Sequence, residues 1–151
     1  MSHAPMLYDE LTALENLRYF ASLYRTRICL APEEALRMVN LDPALERPVG
    51  LYSQGMRQRT SLARILLPQP ELLLLDEPFS NMDIASVAQM IALLERGRDS
   101  GQAIVLTTHQ RELAAPLADY FLSMQAGKLV SVTPGPALTR DALIGNPGLN
   151  A

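Results

Sequence analysis

Leu14, Leu17, Ala21 and Tyr24 recur at helical spacing behind Thr12-Ala13-Leu14-Glu15, a stretch with the form of a capping box. The pattern predicts an amphipathic helix from residue 13 to about 25. A second helix starts at Pro32, whose fixed φ suits a first helical position, with Leu36 and Val39 on its inner face. Pro43 and Pro48 mark an irregular connection ending at Gly50. A third helix runs from near Gly55 through Arg57, Gln58, Leu62, Ala63 and Leu66, until Pro68 and Pro70 stop it. Leu72-Leu73-Leu74-Leu75 is a continuous apolar run, the pattern of a strand buried on both faces of a parallel sheet, and it meets Asp76-Glu77-Pro78 directly. Val87, Met90, Ile91 and Leu94 share one face of a further helix, which Ser100-Gly101 closes. Ala103 to Thr107 is a second short apolar strand, and residues 110–118 read as helix. Tyr120–Met124 and Lys128–Val132 form a hairpin turning at Ala126-Gly127, and the Pro- and Gly-rich tail from Thr133 is expected to be loose. A block of helices followed by alternating strand and helix predicts an α/β fold with a parallel sheet.

Composition narrows the setting without naming a chemistry. With 151 residues, 48% apolar and 19% charged, the chain is expected to form one globular domain with a substantial core. A net charge of −3 gives no electrostatic reason to expect nucleic acid as a partner. Charged residues or Pro interrupt every apolar run before it reaches membrane-spanning length, and no basic-then-apolar leader opens the sequence. Cys29 is the single cysteine, which excludes an internal disulfide and fits a reducing compartment. These features predict a cytoplasmic protein whose membrane role, if it has one, is that of a peripheral subunit.

Candidate chemistry gathers at four places. Asp76 and Glu77 end an apolar strand, and at the carboxyl end of a parallel strand both can reach the crevice where ligands bind. Two adjacent acids there are costly to desolvate unless a cation meets them. A carboxylate so placed can hold Mg²⁺, and its neighbour can orient or deprotonate a water; the competing reading is a solvated acidic turn. Ser53 and Gly55 open a helix whose unpaired N–H groups make an anion site, against an ordinary N-cap with solvated Arg57 and Arg59. His109, after the strand ending in Thr107-Thr108, can donate to a phosphate oxygen, or it is a surface or helix-capping His. Asp83, in Ser80-Asn81-Met82-Asp83, reads locally as a helix N-cap.

Together these pieces resemble the ATP-binding subunit of ABC transporters. Ser53-Gln54-Gly55-Met56-Arg57-Gln58-Arg59 resembles the family's signature motif, Leu72–Glu77 its Walker B strand with the catalytic Glu, Ser80–Asp83 its D-loop, and His109 its switch His. The order and spacing are those of the family, over about residues 3 to 132. The resemblance implies a P-loop NTPase (RecA-like) parallel-sheet core, incomplete at the N-terminus, with an α-helical subdomain at 12–67, an α/β core at 68–132 and a tail at 133–151. It implies ATP and Mg²⁺ as cofactors, with Asp76 toward the metal and Glu77 and His109 catalytic. Ser53, Gln54, Gly55, Met56, Asp83 and His3 would contact nucleotide, His3 standing where the family usually has its Q-loop Gln. It also implies a head-to-tail pairing with a second ATPase subunit, in which Ser53 and Gly55 act on the partner's nucleotide. A transmembrane permease completes the assembly, with the ATPase on the inner face of the membrane.

The departures carry their own expectations. Tyr52, Gln54 and Met56 replace the Leu, first Gly and Gln of the commonest signature. Such variants, with Leu11-Thr12-Ala13-Leu14-Glu15-Asn16-Leu17, resemble subunits serving exporters, including those of cytochrome c biogenesis. No Gly-x-x-x-x-Gly-Lys-Ser/Thr occurs in the 151 residues. The sequence therefore reads as the C-terminal part of a longer subunit, inactive by itself, with sheet edges that lack their neighbours. Three alternatives stay open: a non-hydrolysing fragment offering a signature surface or regulatory contact, a decayed or truncated gene product with no activity, and a soluble ATPase of the same superfamily. Against the soluble ATPase stand the acidic balance, the short helical subdomain and the absence from these 151 residues of the long insertions or second ATPase domain that such proteins usually carry.

Overall fold

The computed structural model describes residues 6–24, 30–80 and 82–136. His3, Cys29, Asn81 and residues 137–151 of the expected tail lie outside the described residues. The chain clusters into two compact units that divide between Thr107 and Thr108.

In the first unit, helix α1 (Ala13–Leu23) begins at the expected capping box. Thr12 Oγ1 accepts from the Glu15 N–H at 3.2 Å, and Glu15 Oε2 accepts from the Thr12 N–H at 2.8 Å. Its buried stripe is Ala13, Asn16 and Leu17, whereas Tyr24, expected on that face, is the C-cap and exposed. Asn16 is fully buried yet satisfied: its Oδ1 accepts from the Tyr8 N–H at 2.8 Å, and its Nδ2 donates to the carbonyls of Tyr8 and Thr12 at 3.0 and 2.9 Å. One amide thus fixes the turn that precedes the helix. Helix α2 (Pro32–Met38) starts at its proline and buries Ala35 and Leu36, with Val39 at its C-cap also buried. A 3₁₀ turn at Val49–Leu51 leads into helix α3 (Gln54–Leu66), which packs on both α1 and α2 and buries Leu62, Ala63 and Leu66.

Strand β1 (Leu72–Asp76) pairs in parallel with β2 (Ala103–Thr107), from Leu72 opposite Ala103 to Asp76 opposite Thr107. Helix α4 (Ile84–Asp99) makes the crossover that two parallel strands require. Asp83 caps its start, and Gly101, at φ +90°, follows the Ser100 C-cap as the sequence indicates. Val87, Met90, Leu93 and Leu94 form its buried face.

One expectation is corrected here. β1 is not buried on both faces: Leu73 is 3% exposed, but Leu72 is 50% and Leu74 70% exposed, beside Val105 at 56% on β2. An apolar run records hydrophobicity, whereas burial needs a partner on each face. Among the described residues, only the face carrying Leu73 has one.

The second unit differs from expectation in two details. The helix expected over 110–118 is the single turn α5 (Arg111–Ala114): Ala115 still has helical φ and ψ, but Pro116 has no N–H with which to continue the hydrogen-bond ladder. The hairpin of β3 (Tyr120–Gln125) and β4 (Lys128–Pro134) turns at Ala126-Gly127, with φ of 49° and 74°. Two consecutive positive φ values are those of a type I′ turn, whose twist matches the strands. β4 continues to Pro134, opposite Tyr120, so the first residues of the expected loose tail are strand. Arg111 lies over the Phe121 ring, its Cζ 4.3 Å from the centroid.

Candidate functional site

The parallel register sets Asp76 beside Thr107 at the carboxyl end of the strand pair. Thr107 Oγ1 donates to Asp76 Oδ1 and also lies 3.3 Å from the Glu77 N–H, which donates to the Thr107 carbonyl at 3.0 Å. The backbone leaves the strand abruptly at Glu77, whose φ is +49°. Few non-glycine residues adopt that conformation. Ser80 returns toward it: its Oγ donates to Glu77 Oε2 at 3.4 Å and its N–H to the Glu77 carbonyl at 3.1 Å. The two acids are therefore held by hydroxyls and backbone at a strand end.

The second cluster joins the head of α3 to the head of α4. Ser53 is the N-cap of α3, its Oγ accepting from the Met56 N–H at 3.3 Å, with Gln54 exposed behind it. Gly55 is buried, and a Cβ added there would stand 3.0 Å from Ser86 Oγ and 3.9 Å from Asp83 Oδ2. The close approach of the two helix heads accounts for glycine at this position. Asp83 Oδ1 accepts from the Ser86 N–H at 2.8 Å and Oδ2 from its hydroxyl at 2.9 Å. The Ser86 N–H first, and its hydroxyl second, hold the Asp83 carboxyl below its ordinary pKa. Gln58 Nε2 donates to the Pro78 carbonyl at 3.4 Å, tying α3 to the turn after Glu77. Arg59 Nη1 donates to the Asn40 carbonyl at 3.1 Å and to Gln89 Oε1 at 3.2 Å, joining α2's end to α4.

The first unit thus unites most of the predicted residues: Asp76 and Glu77 through Thr107, and Gly55 and Asp83 through Ser86, with Ser53 capping the helix that carries Gly55. His109 is exposed and belongs to the second unit, just after Thr108, whose Oγ1 accepts from the Gln110 N–H at 3.0 Å. Thr107 and Ser86 are the residues that sequence reasoning missed. Thr107 carried a signal, since it ends an apolar run of the same length as the one ending in Asp76. Ser86 carried only the generic spacing of a cap partner.

For Mg²⁺ the donor chemistry fits in part. Among the described residues no group of three or more His, Cys, Asp or Glu side chains could form a protein cage for a metal. Mg²⁺ bound with a nucleotide takes most of its ligands from phosphate and water and needs only one or two carboxylates, which Asp76 can supply. No helix among the described residues is long and apolar enough to cross a membrane.

A family profile described as ABC transporter matches residues 1–80. The chain is 36% identical over 149 residues to the molybdenum import ATP-binding protein ModC of Rhodobacter capsulatus, spanning 96% of this chain and 41% of that protein. It is 38% identical over 128 residues to a fluoroquinolones export ATP-binding protein of Mycobacterium tuberculosis, spanning 85% of this chain and 42% of that protein. The chain thus spans about two fifths of the length of these curated relatives. Its fold matches that of a dimeric ATP-binding cassette in a post-hydrolysis state bound to ADP and Pi, with a TM-score of 0.76 at 22% identity over 87% of this chain and 60% of that one. A second dimeric cassette structure matches with a TM-score of 0.74 at 23% identity, again over 87% of this chain and 60% of that one. The architecture is accordingly that of the P-loop NTPase cassette fold.

Proposed function

The chain belongs to the ABC transporter family, and from that premise we propose that it is part of an ATP-binding and ATP-hydrolysing subunit that drives transport through a membrane-spanning partner. The observation that carries the reading is the packing of Gly55 against Ser86 and Asp83, which brings the signature loop to the segment leaving Glu77. Asp76, with one oxygen held by Thr107, is the residue that would hold Mg²⁺. Bound with ATP, that ion neutralises phosphate charge and polarises the phosphoryl oxygens. Glu77 accepts the proton of the attacking water on its carboxylate, while Ser80 steadies Oε2. Ser53 and the N–H groups opening α3 meet the terminal phosphate of a nucleotide held by a second, head-to-tail subunit. Gln54, Met56 and Asp83 frame that loop, and His109 keeps the role its motif implies, a donor to a phosphate oxygen. His3 belongs to the same proposal by its place in the motif order.

In this reading the subunit sits in the cytoplasm, peripheral on the inner face of the cell membrane. Export is the finer part of the proposal, supported by the signature variants at Tyr52, Gln54 and Met56, including their likeness to subunits of cytochrome c biogenesis. The relatives named above divide between import and export. A non-hydrolysing signature surface is the second reading, favoured by the lack of a Gly-x-x-x-x-Gly-Lys-Ser/Thr segment in these 151 residues.

ATP turnover by the membrane complex purified through this chain separates the two. Glu77→Gln is expected to lower turnover about 100-fold or more, the scale of a lost general base. Turnover unchanged by Glu77→Gln but abolished by Ser53→Arg would replace the hydrolytic reading with the signature-surface one.

A further inference from the structure

Arg47 touches both residues that bracket Ser53-Gln54-Gly55. Its Nη2 lies 3.4 Å from Met56 Sδ, and its Cζ stands 5.3 Å from the centre of the Tyr52 ring. Tyr52 is 7% exposed and anchors the entry to the loop. Met56 closes the exit, its N–H capped by Ser53 Oγ. A planar, weakly hydrated guanidinium suits a ring face and a polarisable thioether better than an ammonium does. The Leu and Gln of the commonest signature offer neither ring nor sulfur at these positions. Two of the three departures from that signature are therefore the two side chains that Arg47 meets.

We infer that Arg47 is a positioning residue for the signature loop, gripping Tyr52 and Met56 together and so fixing the spacing of the loop's ends and the direction of Ser53 and Gly55. Its functional half rests on the proposal that this loop caps a phosphate; the structural half does not. Tyr52, Met56 and Arg47 then form a matched set, in which a change at one position devalues the other two.

Amide hydrogen exchange of the 151-residue chain, followed by NMR, tests the grip directly. The probes are the N–H groups of Met56 and Arg57, whose acceptors are Ser53 Oγ and the Ser53 carbonyl. Arg47→Met is expected to speed their exchange about tenfold, the scale of one lost cation–π contact and one lost N–H···S contact, while amides of Leu62–Leu66 and Leu72–Leu75 keep theirs. Arg47→Lys recovers part of the protection, and in a double-mutant cycle Tyr52→Leu speeds exchange less in the Arg47→Met background than in the parent, because the shared contact is already gone. Uniform acceleration along α3, or no change at Met56 and Arg57, overturns the inference. In the purified complex, Arg47→Met is expected to lower kcat with KM for ATP unchanged, and Arg47→Lys to restore part of it. If Ser53→Arg and Glu77→Gln both leave turnover intact while the exchange pattern appears, the proposed function fails and the positioning by Arg47 stands.

Discussion

Glu77 shows how a single residue is held against its own preference. Its φ of +49° lies in the left-handed region, where a side chain crowds the backbone at a cost of about 1–2 kcal/mol. The surroundings enforce it: Thr107 receives its N–H, and Ser80 binds both its carbonyl and its carboxylate. Strain of this kind persists where position is worth more than stability. Glu77→Gly is therefore expected to raise urea stability by up to about 1 kcal/mol, while removing the carboxylate that the proposed chemistry needs. A glycine variant less stable than the parent would show that the Ser80 contact outweighs the backbone strain. The sequence marked Glu77 and Asp76 plainly, because acids at the end of an apolar run stand out. Thr107, which touches both, stayed hidden because strand register is a long-range property that local pattern does not carry.

At the scale of elements, helices were the most legible. Thr12 and Glu15 announced the start of α1, Pro32 the start of α2, and Ser100-Gly101 the end of α4. Each is a local signal with a local cause. Asn16 was not legible, since its burial comes from a turn formed by residues before the helix. Nor was the one-sidedness of β1, where identical leucines differ only in what lies across from them. Leu73 and Leu74 make that difference measurable. Leu73→Ala, at 3% exposure, is expected to cost about 2–5 kcal/mol in chemical unfolding. Leu74→Thr, at 70% exposure, should change stability by less than about 0.5 kcal/mol and reduce self-association in sedimentation. Equal losses at the two positions would mean that the outer face is covered in solution.

For the whole molecule, the contacts of the proposed nucleotide site are unevenly represented in these 151 residues. Asp76, Glu77 and the signature loop are present, whereas no Gly-x-x-x-x-Gly-Lys-Ser/Thr segment provides the phosphate nest and lysine. Most of the affinity for a triphosphate comes from that nest. Calorimetry on the purified 151-residue chain should therefore find ATP affinity on the order of millimolar or weaker. A micromolar constant, or Glu77-dependent turnover by that chain, would show that other residues replace the nest. The family was legible from motif order, but the division between Thr107 and Thr108 was not, because it follows from which elements share a core rather than from any local break in the sequence.

The outward row of Leu72, Leu74 and Val105 has a consequence outside catalysis. Chaperones and proteases sort proteins by exposed apolar segments, and a leucine-rich strand face is the kind of surface they bind. Where that row is left bare, a cell's quality-control machinery competes with assembly for the same side chains. The lifetime of the chain then depends on how soon the row is covered.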